Sequence, residues 1–107
     1  MLAALSGAIA VAAGAFAAHG ASGQAGEWLK TGAHYQLIHA VAALVAVRMG
    51  ERVSPWLFVA GGALFAGTLY LMAFGGPRWL GAVTPIGGVA LIAGWLCLAI
   101  AAWRRPA

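Results

Sequence analysis

Four long runs dominated by apolar residues, 1–18, 31–48, 55–74 and 82–103, take up most of this chain. Each is roughly 18–22 residues, the length an α-helix needs to cross about 30 Å of hydrocarbon. A soluble fold would need polar cover for such runs. With 64% hydrophobic and 7% charged residues, six Lys/Arg and two Asp/Glu cannot supply it. In lipid, every backbone polar group must be satisfied within its own segment, which favours helices. The chain is therefore predicted to be all-α and polytopic, a four-transmembrane-helix bundle forming one membrane domain over 1–107. Its first partner is the lipid bilayer.

The breaks between the runs read as loops: HGASGQAGE, RMGERVSP and GGPRW. Pro55 opens the third run and Pro85 lies in the first turn of the fourth, where a missing N–H costs nothing. The formal charge of +4 does not point to nucleic acid, because the basic residues form no patch and instead flank the runs. With four crossings, Arg48, Arg52, Arg104 and Arg105 share one side, and the other carries Lys30 and Arg78. The positive-inside rule then places both termini in the cytoplasm and the protein in the cytoplasmic (inner) membrane. Trp28 and Trp79 fall at one boundary and Trp56 and Trp103 at the other, as two aromatic belts require; Trp95 alone is well within a run. A cleaved signal peptide over 1–20 is the rival reading, weakened by the lack of Lys or Arg before the apolar run. The single Cys97 excludes an internal disulfide. No inverted repeat is visible, which speaks against a transporter.

Lipid tails are as apolar as leucine, so helices associate through close approach at small residues. At about 100° per residue, Ala3, Ser6, Gly7, Ala10, Gly14 and Ala17 share one face of the first run, against Leu2, Leu5, Ile9 and Phe16. The fourth sets Gly87, Ala90, Ala93, Gly94 and Cys97 against Leu91, Ile92, Trp95 and Leu98. The third sets Val59, Ala63, Ala66, Tyr70 and Ala73 against Leu57, Phe58, Leu64, Phe65 and Met72. The small stripes, with Gly7, Gly14, Ala66, Gly87 and Gly94 as packing positions, are predicted to form the inner seam. The large residues are predicted to face lipid. On that basis Gly94→Leu should damage far more than Leu91→Ala.

The second run carries the polar residues, in HYQLIHA (34–40). Gly32, Tyr35, His39, Ala43 and Ala46 share the inward face, with Gln36 at its margin. His34 points the other way with Leu37, Ile38, Val41, Val45 and Arg48, as an interfacial anchor. His39 lies roughly 12 Å below residue 31 at about 1.5 Å per residue. With Tyr35, Gln36, Tyr70, His19 and Thr84 it is predicted to form an outer-half polar cluster, with Tyr70 its hydrogen-bond partner. An intramembrane ionisable group is a candidate for ligand or proton handling, but no carboxylate lies in any run to complete a relay. A metal at His19 and His39 lacks a third donor, and haem needs two histidines at equal depth. No nucleophile–base set or paired carboxylates exist. The expectation is no enzyme, no catalytic residue, no metal and no cofactor.

GAFAAHG (14–20), YQLIHA (35–40), GTLYLMA (67–73) and TPIGGVALIAGW (84–95) together resemble, in order and spacing, the family called domain of unknown function 423. The resemblance covers nearly the whole chain. It implies a small four-helix integral membrane protein whose biochemical role is not established. His19, Tyr35, Gln36, His39, Tyr70, Pro85, Gly87, Gly88, Gly94 and Trp95 fall in its motifs, and His34 does not. The first loop, ASGQAGEW, is shorter and less charged than the family pattern.

Two functional readings stand. In the first, the chain is a structural or accessory membrane protein whose small-residue stripes pack against a second copy or a larger membrane complex. In the second, a pocket around His39 binds a small polar, quinone-like or metal ligand.

Overall fold

The computed structural model describes residues 1–105, so the last two residues of the domain expected over 1–107 lie outside the described residues. It consists of α1 (Leu2–Gly20), α2 (Gly23–Arg48), α3 (Ser54–Ala73), a 3₁₀ turn (Arg78–Ala82) and α4 (Thr84–Arg104). No strand occurs among the described residues. The fold is all-α and built of four helices, as predicted. By length and composition, α1, α3 and the segment Arg78–Arg104 can each cross a membrane. α2 is the longest at 26 residues, about 39 Å at 1.5 Å per residue, and it carries the polar residues.

The first loop is far shorter than predicted. α1 and α2 are joined by Ala21 and Ser22 alone, and Gln24, Glu27 and Lys30 are exposed side chains on the first turns of α2. Two glycines permit the tight corner. Gly23 adopts φ +62, a region that L side chains avoid. A Cβ at Gly26 would lie 3.3 Å from the Ala21 carbonyl oxygen. Gln, Glu, Leu and Lys then continue the helix at little cost.

α2 and α3 stop in the same manner. Gly50 donates to the Val47 carbonyl and Glu51 to that of Ala46; Gly75 donates to Met72 and Gly76 to Leu71. With Gly50 at φ +80 and Gly75 at φ +97, both are Schellman caps, which satisfy the last carbonyls before the chain turns. The N-terminus of α3 is capped by Glu51, whose Oε1 accepts from the Ser54 N–H at 3.0 Å and the Val53 N–H at 3.3 Å. These backbone donors, Ser54 first, hold the Glu51 carboxyl below its ordinary value.

Successive helices run antiparallel. A Cβ on Gly7 would meet that of Ala40 at 3.8 Å, and one on Gly14 that of Ala33 at 3.6 Å. Likewise Gly32 lies beneath the Tyr70 ring while Gly62 faces His39, and Gly61 packs on Gly87 while Gly94 lies beneath Phe58. The Arg105 guanidinium donates to the Met49 carbonyl, bringing the ends of α2 and α4 together. One end of the molecule therefore gathers Arg48, Arg52, Arg104 and Arg105.

The helices form a bent row rather than a bundle closed around one seam. α1 packs on α2, α2 on α3 and α3 on α4; α1 touches α3 lightly, and α1 and α4 share no packed interface among the described residues. The edge helices bury narrow stripes: Ala3, Ser6, Ala10 and Ala17 on α1, and Thr84, Gly87, Leu91 and Gly94 on α4. On α1 these fall within the predicted small face, with Gly7 and Gly14 half-buried beside them, and Leu2, Leu5, Ile9 and Phe16 point outward.

Elsewhere the face assignment needs correction. Leu91 and Phe58, expected toward lipid, are 3% and 1% exposed and anchor the core with Ala43 and Ala46. Met72 is also buried, whereas Ala63 is exposed. The reason is interdigitation between α3 and α4: there a glycine on one helix meets a large side chain from its neighbour as well as small residues. A Cβ at Gly94 would lie 2.8 Å from the Phe58 ring, and one at Gly61 3.2 Å from Leu91 Cδ2. Ala66, Gly87 and Gly94 are buried.

Candidate functional site

The inward face of α2 presents Gly32, Gln36, His39 and Ala43 at helical spacing, and all four are buried. Gly32 leaves room for the Tyr70 ring, since a Cβ there would lie 2.7 Å from Tyr70 Cε1. The tyrosine hydroxyl thereby reaches Gln36 and donates to its Oε1 at 2.7 Å. On the other side, Gln36 Nε2 donates to Ser6 Oγ at 3.1 Å. One amide thus ties α1, α2 and α3 together.

His39 has a different partner from the one predicted. Trp95 Nε1 donates to His39 Nε2 at 3.0 Å, and His39 Nδ1 pairs with the Tyr35 carbonyl at 2.6 Å. An indole N–H can only donate and a carbonyl can only accept, so the hydrogen of this imidazole sits on Nδ1. The ring lies 5.9 Å from that of Trp95 at 70° and 5.7 Å from that of Phe58. Trp95, expected to face lipid, is 45% exposed, yet its polar edge turns inward. His39 also sits deeper than the outer half. It faces Gly62 and Trp95, which lie near the middles of α3 and α4.

The expected six-residue cluster divides. Thr84 pairs with Thr68 at 2.6 Å and donates to the Leu80 carbonyl at 3.2 Å, joining α3 to α4 at the Lys30/Arg78 end. Tyr35 is 43% exposed; its carbonyl, not its hydroxyl, serves His39, and its ring packs on Phe65 at 4.7 Å. His19 is exposed at the end of α1, away from the pairs. Glu27 and Lys30 form an exposed pair at 3.9 Å near the start of α2. Among the described residues no group of three His, Cys, Asp or Glu gathers for a metal. Both nitrogens of His39 are engaged, so a ligand reaching it must first displace Trp95 or the Tyr35 carbonyl.

Sequence reasoning missed Ser6, Thr68 and Trp95 as partners. Ser6 and Thr68 carried a usable signal, since a hydroxyl inside an apolar helix seeks a partner on a neighbour.

Antiparallel apolar helices joined by polar pairs define a small polytopic membrane protein. More particularly, the chain belongs to the family described as Protein of unknown function (DUF423), which matches residues 13–88. It is 41% identical to the UPF0382 inner membrane protein YgdD of Escherichia coli (strain K12), over 97% of this chain and 88% of that protein. It is 39% identical to a UPF0382 membrane protein of Haemophilus influenzae, over 96% of this chain and 91% of that protein. With the UPF0382 membrane protein YwdK of Bacillus subtilis the identity is 36%, over 95% of this chain and 93% of that protein. No solved structure matches the chain.

Proposed function

We propose that the protein is a non-enzymatic, self-associating or accessory helix bundle of the cytoplasmic membrane, crossing it four times with both termini in the cytoplasm. The observation that carries this reading is the contrast between a closed polar interior and open edges. Ser6, Gln36, Tyr70, His39, Thr68 and Thr84 satisfy one another or Trp95. Among the described residues only Ser54 Oγ is buried without a partner. By contrast α1 and α4 each lie on one main neighbour, and Leu5, Ile9, Ile92 and Leu96 point outward for lipid or a second helix.

The four-crossing topology is supported by the antiparallel order and by the short links, which carry α2 back across the depth that α1 and α3 span. The orientation is supported by four arginines at one end against Lys30 and Arg78 at the other. With Cys97 replaced, a cysteine at Ser22 should react with an impermeant thiol reagent in intact cells and one at Val53 should not. Reversed labelling overturns the orientation. Crosslinking with native mass spectrometry tests the association: oligomers or protein partners support it, and a monomer without partners removes it.

A second reading, a small-molecule site at His39, is favoured by the half-exposed Trp95. From the lipid side, a quinone-like carbonyl could replace His39 as acceptor for the indole. A co-purifying small molecule lost in Trp95→Phe would select this reading.

A further inference from the structure

At the arginine-rich end, the start of α1, the last turns of α2 and the first turns of α3 leave an open groove of about 330 Å³. Its lining includes Leu2, Leu44, Val47, Pro55, Trp56 and Val59, all apolar. Along α2 it runs from Ala43 to Val47, about 6 Å at 1.5 Å per residue, enough for the first few methylenes of one acyl chain. Trp56 is exposed at its edge, where an indole suits the boundary between headgroups and chains.

The charge beside the groove selects its occupant. Arg48 follows Val47 and lies one turn beyond Leu44 on the same face of α2. Arg52 stands three residues before Pro55, and both arginines are exposed. Glu51 is the one carboxylate in this loop, and its Oε1 is occupied by the Ser54 and Val53 N–H groups. Among the described residues the one ion pair is Lys30 with Glu27, at the opposite end. Arg48 and Arg52 therefore have no carboxylate partner among the described residues. We propose that the groove seats the headgroup-proximal part of one acyl chain of an anionic phospholipid, with the phosphate held by Arg48 and Arg52.

The test is native mass spectrometry of the full chain released from detergent, titrated with phosphatidylglycerol or with phosphatidylcholine of the same chains. The parent should retain one phosphatidylglycerol in preference to phosphatidylcholine. Arg48→Gln with Arg52→Gln should reduce that preference about fivefold per arginine, roughly 30-fold for the pair. Val47→Trp, at an outward position, fills the groove and should lower retention of both lipids. Far-UV circular dichroism on each variant confirms that the helices persist, and all three substitutions replace exposed residues. Equal retention of the two lipids by the parent overturns the proposal. So does a preference that survives loss of both arginines, unchanged retention in Val47→Trp, or displacement of the lipid by inorganic phosphate alone.

Discussion

Gly87→Ala and Gly88→Ala add the same methyl group one residue apart on α4, but only the first should be harmful. A Cβ at Gly87 would lie 2.5 Å from Phe65 N and 2.9 Å from both Gly61 O and Phe65 Cα. All three are backbone atoms of α3, so no rotamer change relieves the overlap and the helices must separate. A Cβ at Gly88 would meet the Phe65 ring at 3.8 and 3.9 Å, an ordinary contact. Each variant gains up to about 1 kcal/mol of helix propensity over glycine, less where the unfolded state keeps its helices. Overpacking typically costs about 1–3 kcal/mol, and separating α3 from α4 also loosens Phe58 and Leu91. We expect Gly88→Ala within about 0.5 kcal/mol of the parent and Gly87→Ala about 2 kcal/mol less stable. Unfolding by SDS in mixed micelles measures both, with tryptophan fluorescence reporting through Trp95 on α4. Equal midpoints, or a less stable Gly88→Ala, would refute the close backbone contact between α3 and α4.

Leu91→Ala should be as harmful as Gly94→Leu, which removes the difference expected from sequence. It opens a cavity against Phe58 worth about 2–5 kcal/mol, and near-parent thermal stability in detergent would return Leu91 to the lipid face. Trp95→Phe leaves His39 Nε2 without its donor and should cost about 1 kcal/mol. Adding His39→Phe should recover most of that loss, whereas additive losses in the double-mutant cycle would mean the two rings do not pair. Glu51 gives a pH dependence. Its folded-state pKa lies below the ordinary value of 4.5, so its cap is fully effective above that value and fades as pH falls through the lower folded value. Glu51→Gln should flatten the thermal-stability profile below pH 4.5, and an unchanged acid limb would dismiss the cap.

The helix count and the faces of α1 were legible because their causes are local. Run length sets the first, and α1 has one main neighbour, so one stripe of small residues suffices. α3 defeated the same reasoning. It lies between α2 and α4, so Phe58, Gly61, Gly62, Ala66, Leu69 and Met72 are buried in two directions, and no single stripe describes it. Nor does hydrophobicity separate core from lipid here, because both are apolar. Leu91 and Leu96 read alike in sequence, yet one is buried and the other exposed. The first loop was misread for another reason: GASG signals a turn, but two residues and a positive-φ glycine complete it.

His39 and Gln36 were placed inward by helical spacing, whereas their partners depended on side-chain reach. The angular position of Trp95 on α4 puts its Cα near the lipid side, but an indole is long enough to turn its N–H back to His39. Such pairs contribute little stability, about 0.6 kcal/mol on average in a membrane. Their distribution suits another task. Ser6–Gln36 ties α1 to α2, Gln36–Tyr70 ties α2 to α3, His39–Trp95 ties α2 to α4, and Thr68–Thr84 ties α3 to α4. Helices rich in Ala, Gly and Leu can slide past one another with little loss of packing. A slip of one turn, about 5.4 Å, would break the polar tie at that interface and strand its groups in hydrocarbon. Four weak bonds, one for each packed interface and one spanning α2 to α4, thus fix the vertical register that the apolar residues leave loose.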